Sequence, residues 1–233
     1  MRKTLYTVWI KSFINLIFPK HCVVCGAPLV DGEEYLCLKC FLDLPKMNCV
    51  SYSNNRAAER FMGKVPVERA LGYLHYKKQE MAAKIVAEIK YKNNRKLGEW
   101  MGALMASDIA PSGFFDGIDL LVPVPLHWTK KHKRGFNQST AIARGIQSVT
   151  AIPIEEKNIS RRKANATQTK KKWFDRWLNT VNLFKIVDAE SFKGKHILII
   201  DDVLTSGSTM EAVAKTTVNV EGVKISILAL SMV

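Results

Sequence analysis

A chain of 233 residues, 47% hydrophobic and 24% charged, can bury one sizeable core with a small module left over. No window approaches eighteen apolar residues in a row, which excludes a helical membrane span. Thirty-five Lys and Arg against 21 Asp and Glu leave a net charge of +14, so a polyanionic ligand is expected: nucleic acid, an acidic membrane surface or phosphorylated small molecules.

The first 18 residues carry a basic tip (Arg2, Lys3) and an apolar pattern that superficially resembles a signal peptide. Lys11 interrupts that pattern, and no small-residue cleavage site precedes Cys22. Leu5, Val8, Trp9, Phe13 and Leu16 or Ile17 recur at helical spacing, predicting an amphipathic helix that packs on its neighbour, with membrane-surface docking as the lesser alternative.

Next comes Cys22-x-x-Cys25, eleven intervening residues, and Cys37-x-x-Cys40. Two such knuckles in so short a span supply the ligand number and soft sulfur donors of a closed tetrahedral zinc site, and paired knuckles favour metal over disulfides in a reducing compartment. A four-cysteine site has no open position for substrate, so the expected zinc serves structure or recognition and not catalysis, with structural zinc the reading adopted. A cytoplasmic location is the expectation. Cys49 reads as a small buried hydrophobe, and Asp43 to Ser53 as a linker. The predicted division is 1–50, helix plus zinc ribbon, and 51–233, one ligand-binding domain.

Residues 67–76 alternate like a strand. Met81, Ile85 and Ile89 mark one amphipathic helix, and Leu97, Met101, Leu104 and Met105 a second after the Asn93-Asn94 break. A buried strand follows, Ile118 to Val124. It leads into the loop 127–139, where Lys130, Lys131, Lys133 and Arg134 stand without an acid and Gly135 lets the backbone turn before a helix near Phe136. From Lys157 to Trp177 there are eight basic residues against Asp175 alone, with Gln168, Trp173, Phe174 and Trp177 interleaved. Such a segment suits closure over a bound diphosphate, by residues such as Arg161 and Lys163, or stacking on single-stranded nucleic acid.

A short strand near Leu183 to Val187 precedes the most informative stretch, His196 to Thr209. An apolar run there stops at Asp201 and Asp202, followed by Thr205, Ser206, Gly207, Ser208 and Thr209 and then a helical pattern from Met210 to Thr217. The apolar run predicts a parallel strand covered on both faces, whose carboxyl end is where open α/β sheets bind ligands. Helix N–H groups and hydroxyls make a phosphate cradle beside two carboxylates that can hold vicinal hydroxyls or metal-bound water. A last strand is expected over Ile225 to Val233. There is no Walker lysine and no G-x-G-x-x-G.

The strand, acid pair and T-S-G-S-T turn resemble the signature of type I phosphoribosyltransferases, which bind phosphoribosyl pyrophosphate (PRPP). The resemblance implies an α/β parallel sheet flanked by helices. It gives Thr205 to Thr209 to the 5-phosphate, Asp201 and Asp202 to the ribose hydroxyls at the catalytic centre, and Lys130, Lys131, Lys133, Arg134 and Gly135 to pyrophosphate with Mg²⁺. Arg161, Lys163 and Gln168 fall in a flexible closing loop.

CVVC and CLKC, PVP with RGFNQ, Arg161, Gln168, Arg176, Asn179, Asn182 and Phe184, and IIDDVLTSGST together resemble the ComF family of competence-associated proteins, a zinc ribbon joined to such a domain. Asn165 stands where that family has a threonine. The resemblance implies PRPP as ligand, and single-stranded DNA as partner, met directly or through a DNA-uptake helicase. Three readings stay open: a Mg²⁺-dependent phosphoribosyltransferase of unspecified acceptor, a single-stranded DNA-binding accessory protein regulated by PRPP, and a nucleobase-salvage transferase. The last is weakened because nothing after the final strand could form a hood over a base, so any hood has to come from residues 1–70.

Overall fold

The computed structural model describes residues 19–48, 51–126, 134–161 and 183–233. The N-terminal amphipathic segment, Cys49, Lys130, Lys131, Lys133, Lys163 and Gln168 lie outside the described residues. Within them, the six helices of α type are α1 (Leu38–Leu42), α2 (Arg56–Glu59), α3 (Met81–Tyr91), α4 (Arg95–Ile109), α5 (Gln138–Thr150) and α6 (Ser208–Thr217). Strands are β1 (Arg69–His75), β2 (Leu120–Pro123), β3 (Ile159–Arg161), β4 (Phe184–Ile186), β5 (His196–Leu204) and β6 (Lys224–Met232). The break between α3 and α4 falls at Asn93 and Asn94: Asn93 adopts a left-handed φ of 55°, and the Asn94 side chain caps α4 by accepting from the Leu97 N–H.

Four strands form one parallel sheet in the order β1-β6-β5-β2. Its residues alternate between two apolar layers. Leu121, Leu198, Ile200, Leu228 and Leu230 join the buried faces of α3, α4 and α5, whereas Val122, Ile197, Ile199, Ile225 and Ile227 join Phe61, Met210 and Val213 on the side of α6. A sheet covered on both faces explains the unbroken Ile/Leu runs of the sequence.

From β2 the chain passes through α5 on one face and steps outward, where Ile154 makes a parallel bridge to Leu121. From β5 it passes through α6 on the other face and steps inward to β6. The direction of winding therefore reverses between β2 and β5. Such a reversal opens a crevice at the carboxyl ends of the two strands.

Three features differ from the expectations. Strand β5 does not stop at the acid pair: pairing with β6 continues through Asp201↔Ala229 to Leu204↔Met232, while pairing with β2 ends at Ile200↔Pro123. The acids thus sit in a notch where β5 has lost one neighbour and kept the other. The 157–177 segment begins with an ordered strand, since β3 pairs antiparallel with β4. The linker after the ribbon lines the outer edge of β1, where the Met47 N–H donates to the Tyr73 carbonyl and the Ala70 N–H to the Tyr52 carbonyl, both at 2.8 Å.

Candidate functional site

The four cysteines come together as the spacing requires. Their sulfurs all lie within 4.8 Å of one another, with Cys25 Sγ and Cys37 Sγ 3.7 Å apart, and none is in a disulfide. A tetrahedral zinc with Zn–S bonds of 2.3 Å needs sulfurs about 3.8 Å apart, so the cluster fits Zn²⁺. Turns make the knuckles: the Gly26 N–H returns to the Cys22 carbonyl and the Phe41 N–H to the Cys37 carbonyl, both at 2.9 Å. The ribbon is seated on the main domain through Trp100 of α4, which meets the rings of Tyr35 and Phe41, and through Lys84 of α3, whose Nζ donates to the Val24 carbonyl at 3.0 Å.

In the β2/β5 crevice, Asp201 and Asp202 are partly exposed. Ser139 Oγ, from the first turn of α5, donates to Asp201 Oδ1 at 2.9 Å, and the Asp202 N–H donates to the same oxygen at 2.9 Å. Lys90 Nζ, from the last turn of α3, lies 2.7 Å from Asp202 Oδ1. Oδ2 of each carboxylate has no partner among the described residues. Burial and the neighbouring Asp202 carboxylate push the Asp201 carboxyl up to about 7, against the opposing pull of the Asp202 N–H, the Ser139 hydroxyl and Lys90.

The helix that brings Ser139 is aimed by its own cap. Asn137 Nδ2 donates to the carbonyl of Val124, just past β2, at 3.0 Å, while Asn137 Oδ1 accepts from the Ser139 N–H at 3.3 Å. One amide side chain therefore ties the strand end to the helix start. Gly135 holds a φ of 74°, and a Cβ there would come 3.3 Å from the Asn93 side chain. Arg134 donates to Gln138 Oε1 at 3.0 Å and lays its guanidinium over the Tyr91 ring, 5.5 Å from the centroid.

Thr205, Ser206 and Ser208 are exposed at the start of α6, with Thr209 half-buried behind them. Gly207 caps the helix at φ 81°, and its missing side chain lets Phe61 approach, since a Cβ would stand 3.2 Å from that ring. Ser206 Oγ donates to Ser208 Oγ at 3.1 Å. The N-cap Gly207 offers no side chain and the Ser208 N–H donates to Ser206 Oγ at 3.4 Å, while the N–H groups of Thr209 and Met210 make no hydrogen bond among the described residues and are placed to meet a ligand. Arg161 ends β3, with its guanidinium 5.5 Å from the Phe184 centroid.

Lys90 and Ser139 were not singled out by motif. Lys90 stands four residues after buried Val86, on the apolar stripe of α3, and a lysine on that stripe is the signal that could have found it. Among the described residues, the side chain that reaches the acids from the first half of the chain is Lys90 of α3.

The phosphoribosyl transferase domain family matches residues 118–232, and the double zinc ribbon domain family matches residues 13–59. This is a phosphoribosyl transferase-type domain behind a zinc ribbon. The chain is 24% identical over 212 residues to the DNA utilization protein YhgH of Escherichia coli K12, covering 86% of this chain and 91% of the relative. It is 33% identical over 98 residues to the competence protein ComFC of Bacillus subtilis, covering 41% and 37% of the two chains. Among solved structures, an allosteric regulatory enzyme of purine biosynthesis overlays with a TM-score of 0.42 at 16% identity, covering 61% of this chain and 30% of that one. The two domains in this order, with relatives of these names, bear out the resemblance to the ComF family.

Proposed function

We propose that the protein binds PRPP with Mg²⁺ in the β2/β5 crevice and acts as a phosphoribosyltransferase on an acceptor yet to be named. The observation that carries this reading is the acid pair itself: two adjacent carboxylates, each with an Oδ2 that has no partner among the described residues, beside a glycine-capped helix N-terminus fronted by exposed hydroxyls. A phosphate site alone gains nothing from acids, whereas a ribose phosphate uses both. Thr205, Ser206, Gly207, Ser208 and Thr209 hold the 5-phosphate, and Asp201 and Asp202 anchor the ribose hydroxyls. The carboxylates are hard oxygen donors that suit Mg²⁺, which neutralises charge as pyrophosphate leaves. Arg134, at the turn made by Gly135, is assigned to the diphosphate with Lys130, Lys131 and Lys133, and Arg161 at the end of β3 is assigned with Lys163 and Gln168 to the closing segment. Free thiols in a zinc ribbon suit the reducing cytoplasm.

The test is calorimetric titration of Mg²⁺ and PRPP into the zinc-loaded protein. Wild type should bind, and an Asp201→Asn, Asp202→Asn double variant should lose binding by at least about 100-fold. A folded wild type that takes up no PRPP would sink the reading.

A second reading, single-stranded DNA binding, has its own support. Residues 127–133 and 162–182 hold nine of the 35 Lys and Arg against a single acid, with Trp128, Trp173, Phe174 and Trp177 among them. These segments flank β2 and the β3–β4 hairpin, and relatives carry the words competence and DNA utilization in their names. Binding of an oligonucleotide should weaken steeply with salt, with a log–log slope near −0.7 for each phosphate contacted. Absence of binding at low salt would exclude it.

A further inference from the structure

The last turn of α3 touches both halves of the crevice. Lys90 Nζ reaches Asp202 Oδ1 at 2.7 Å, the Tyr91 ring carries the Arg134 guanidinium, and just past the helix the Asn93 side chain lies 3.3 Å from where a Cβ on Gly135 would stand. Neither Lys90 nor Asp202 is well solvated, their side chains being 19% and 13% exposed. The ammonium therefore stands against Asp202 where water screens it little, on the carboxylate that the PRPP reading gives to ligand hydroxyls. A cation at a helix C-terminus is itself favourable, so the turn holds this charge without help from the ligand.

An ion pair kept on Oδ1 would leave a sugar hydroxyl only Oδ2 of a carboxylate whose charge is already neutralised. A lysine side chain can resolve the conflict by turning about its flexible stem, because its ammonium is a point charge with three rotatable donors. The ligand that needs the carboxylate also brings negative charge to the same place. Building on the PRPP reading, we propose that Lys90 is a binding residue that exchanges partners: it holds Asp202 in the free protein and moves to the diphosphate oxygens when PRPP arrives. The exchange frees Asp202 for the ribose and keeps the ammonium paired throughout. It also makes the acid pair selective for a ribose that carries a diphosphate, since a ribose phosphate without one must share Asp202 with Lys90 or displace it, and offers it nothing in return.

The experiment compares wild type, Lys90→Gln and Lys90→Arg for PRPP and ribose 5-phosphate by calorimetry, with melting temperature as the check on folding. Glutamine keeps a hydrogen bond to Asp202 without the charge. Lys90→Gln should lose about 10–100-fold in PRPP affinity, the scale of a charged hydrogen bond, and change ribose 5-phosphate affinity by less than about threefold or tighten it. Arginine should restore PRPP binding. Lys90→Met serves as the second uncharged variant, with the same expectation, should the glutamine protein fail to fold. Equal losses for both ligands mean a structural role and overturn the proposal, as does unchanged PRPP affinity in Lys90→Gln. Where ribose 5-phosphate is too weak to measure in every protein, PRPP affinity recovered by arginine but not glutamine supports the exchange, and recovery by glutamine overturns it. A wild type that binds no PRPP rejects the site reading itself and the exchange with it, a result distinct from any of these.

Discussion

Asp201 is where several local causes meet in one side chain. Its carboxyl is raised because burial and Asp202 disfavour the charge, and Ser139 and Lys90 only partly oppose them. Since its value in the folded protein is about 7, against 3.8 for an ordinary aspartate, the native state binds this proton where the unfolded chain has released it. The stabilisation is therefore complete below about pH 4 and lost as pH rises from there to about 7. An Asp201→Asn variant lacks this loss. Urea unfolding of both proteins between pH 5.5 and 7.5, where zinc is retained, should show wild-type stability falling relative to the variant as pH rises, and parallel curves would refute the raised value. The same proton has to leave before a cation binds, so Mg²⁺·PRPP affinity should tighten across this window.

At the scale of elements, the site depends on how closely α4 and α5 cross. A Cβ on Gly145 would collide with the Glu99 carbonyl oxygen and approach Ala103 N to 2.6 Å, and one on Gly102 would collide with the Ile142 carbonyl oxygen. Backbone, not flexible side chain, stands in the way. Gly145→Ala therefore has to push the helices apart, at a cost of about 1–3 kcal/mol typical of overpacking. Because α5 carries Asn137 and Ser139, the shift should also weaken Mg²⁺·PRPP binding, with no residue of the crevice changed. Chemical denaturation and calorimetry on this variant check both effects, and a fully stable Gly145→Ala protein would show that the crossing has slack.

At the scale of the whole molecule, the ribbon and the domain share one apolar cluster: buried Cys22, Leu36, Cys40 and Leu44 join Leu97, Met101 and Met105. Zinc removal should release this contact, because a structural four-cysteine site contributes its folding energy through the metal. Trp100, held between Tyr35 and Phe41, reports on it. Chelation is expected to shift tryptophan emission to the red and expose apolar surface along α4, while far-ultraviolet circular dichroism keeps the α/β signal. A Trp100→Phe variant should lose most of that emission change. Loss of all secondary structure on chelation would mean that the domain cannot stand without its ribbon.

Much of this was legible in the residues because it is local in the chain. Cys22, Cys25, Cys37 and Cys40 are bound to one another by knuckle geometry within nineteen residues, and Ile197 to Ile200 declare a two-sided strand by composition alone. The hydroxyl-rich turn from Thr205 to Thr209 follows directly on that strand, so spacing was enough to place it at a helix start. Three-residue β3 was not legible: its pairing partner β4 lies more than twenty residues away, and neither strand has a pattern long enough to show period two. That β5 runs through its acids to Leu204 depends on β6, which continues beside it after β2 has left. Lys90 and Ser139 reach the acid pair from 112 and 62 residues away in sequence, over connections whose direction is set by the sheet order. What the sequence determined by itself is the chemistry that contiguous residues can build. Which distant side chains surround it was decided by tertiary structure, because the sheet order and the packing of α3 and α5 in one apolar layer bring Lys90 and Ser139 to the acids.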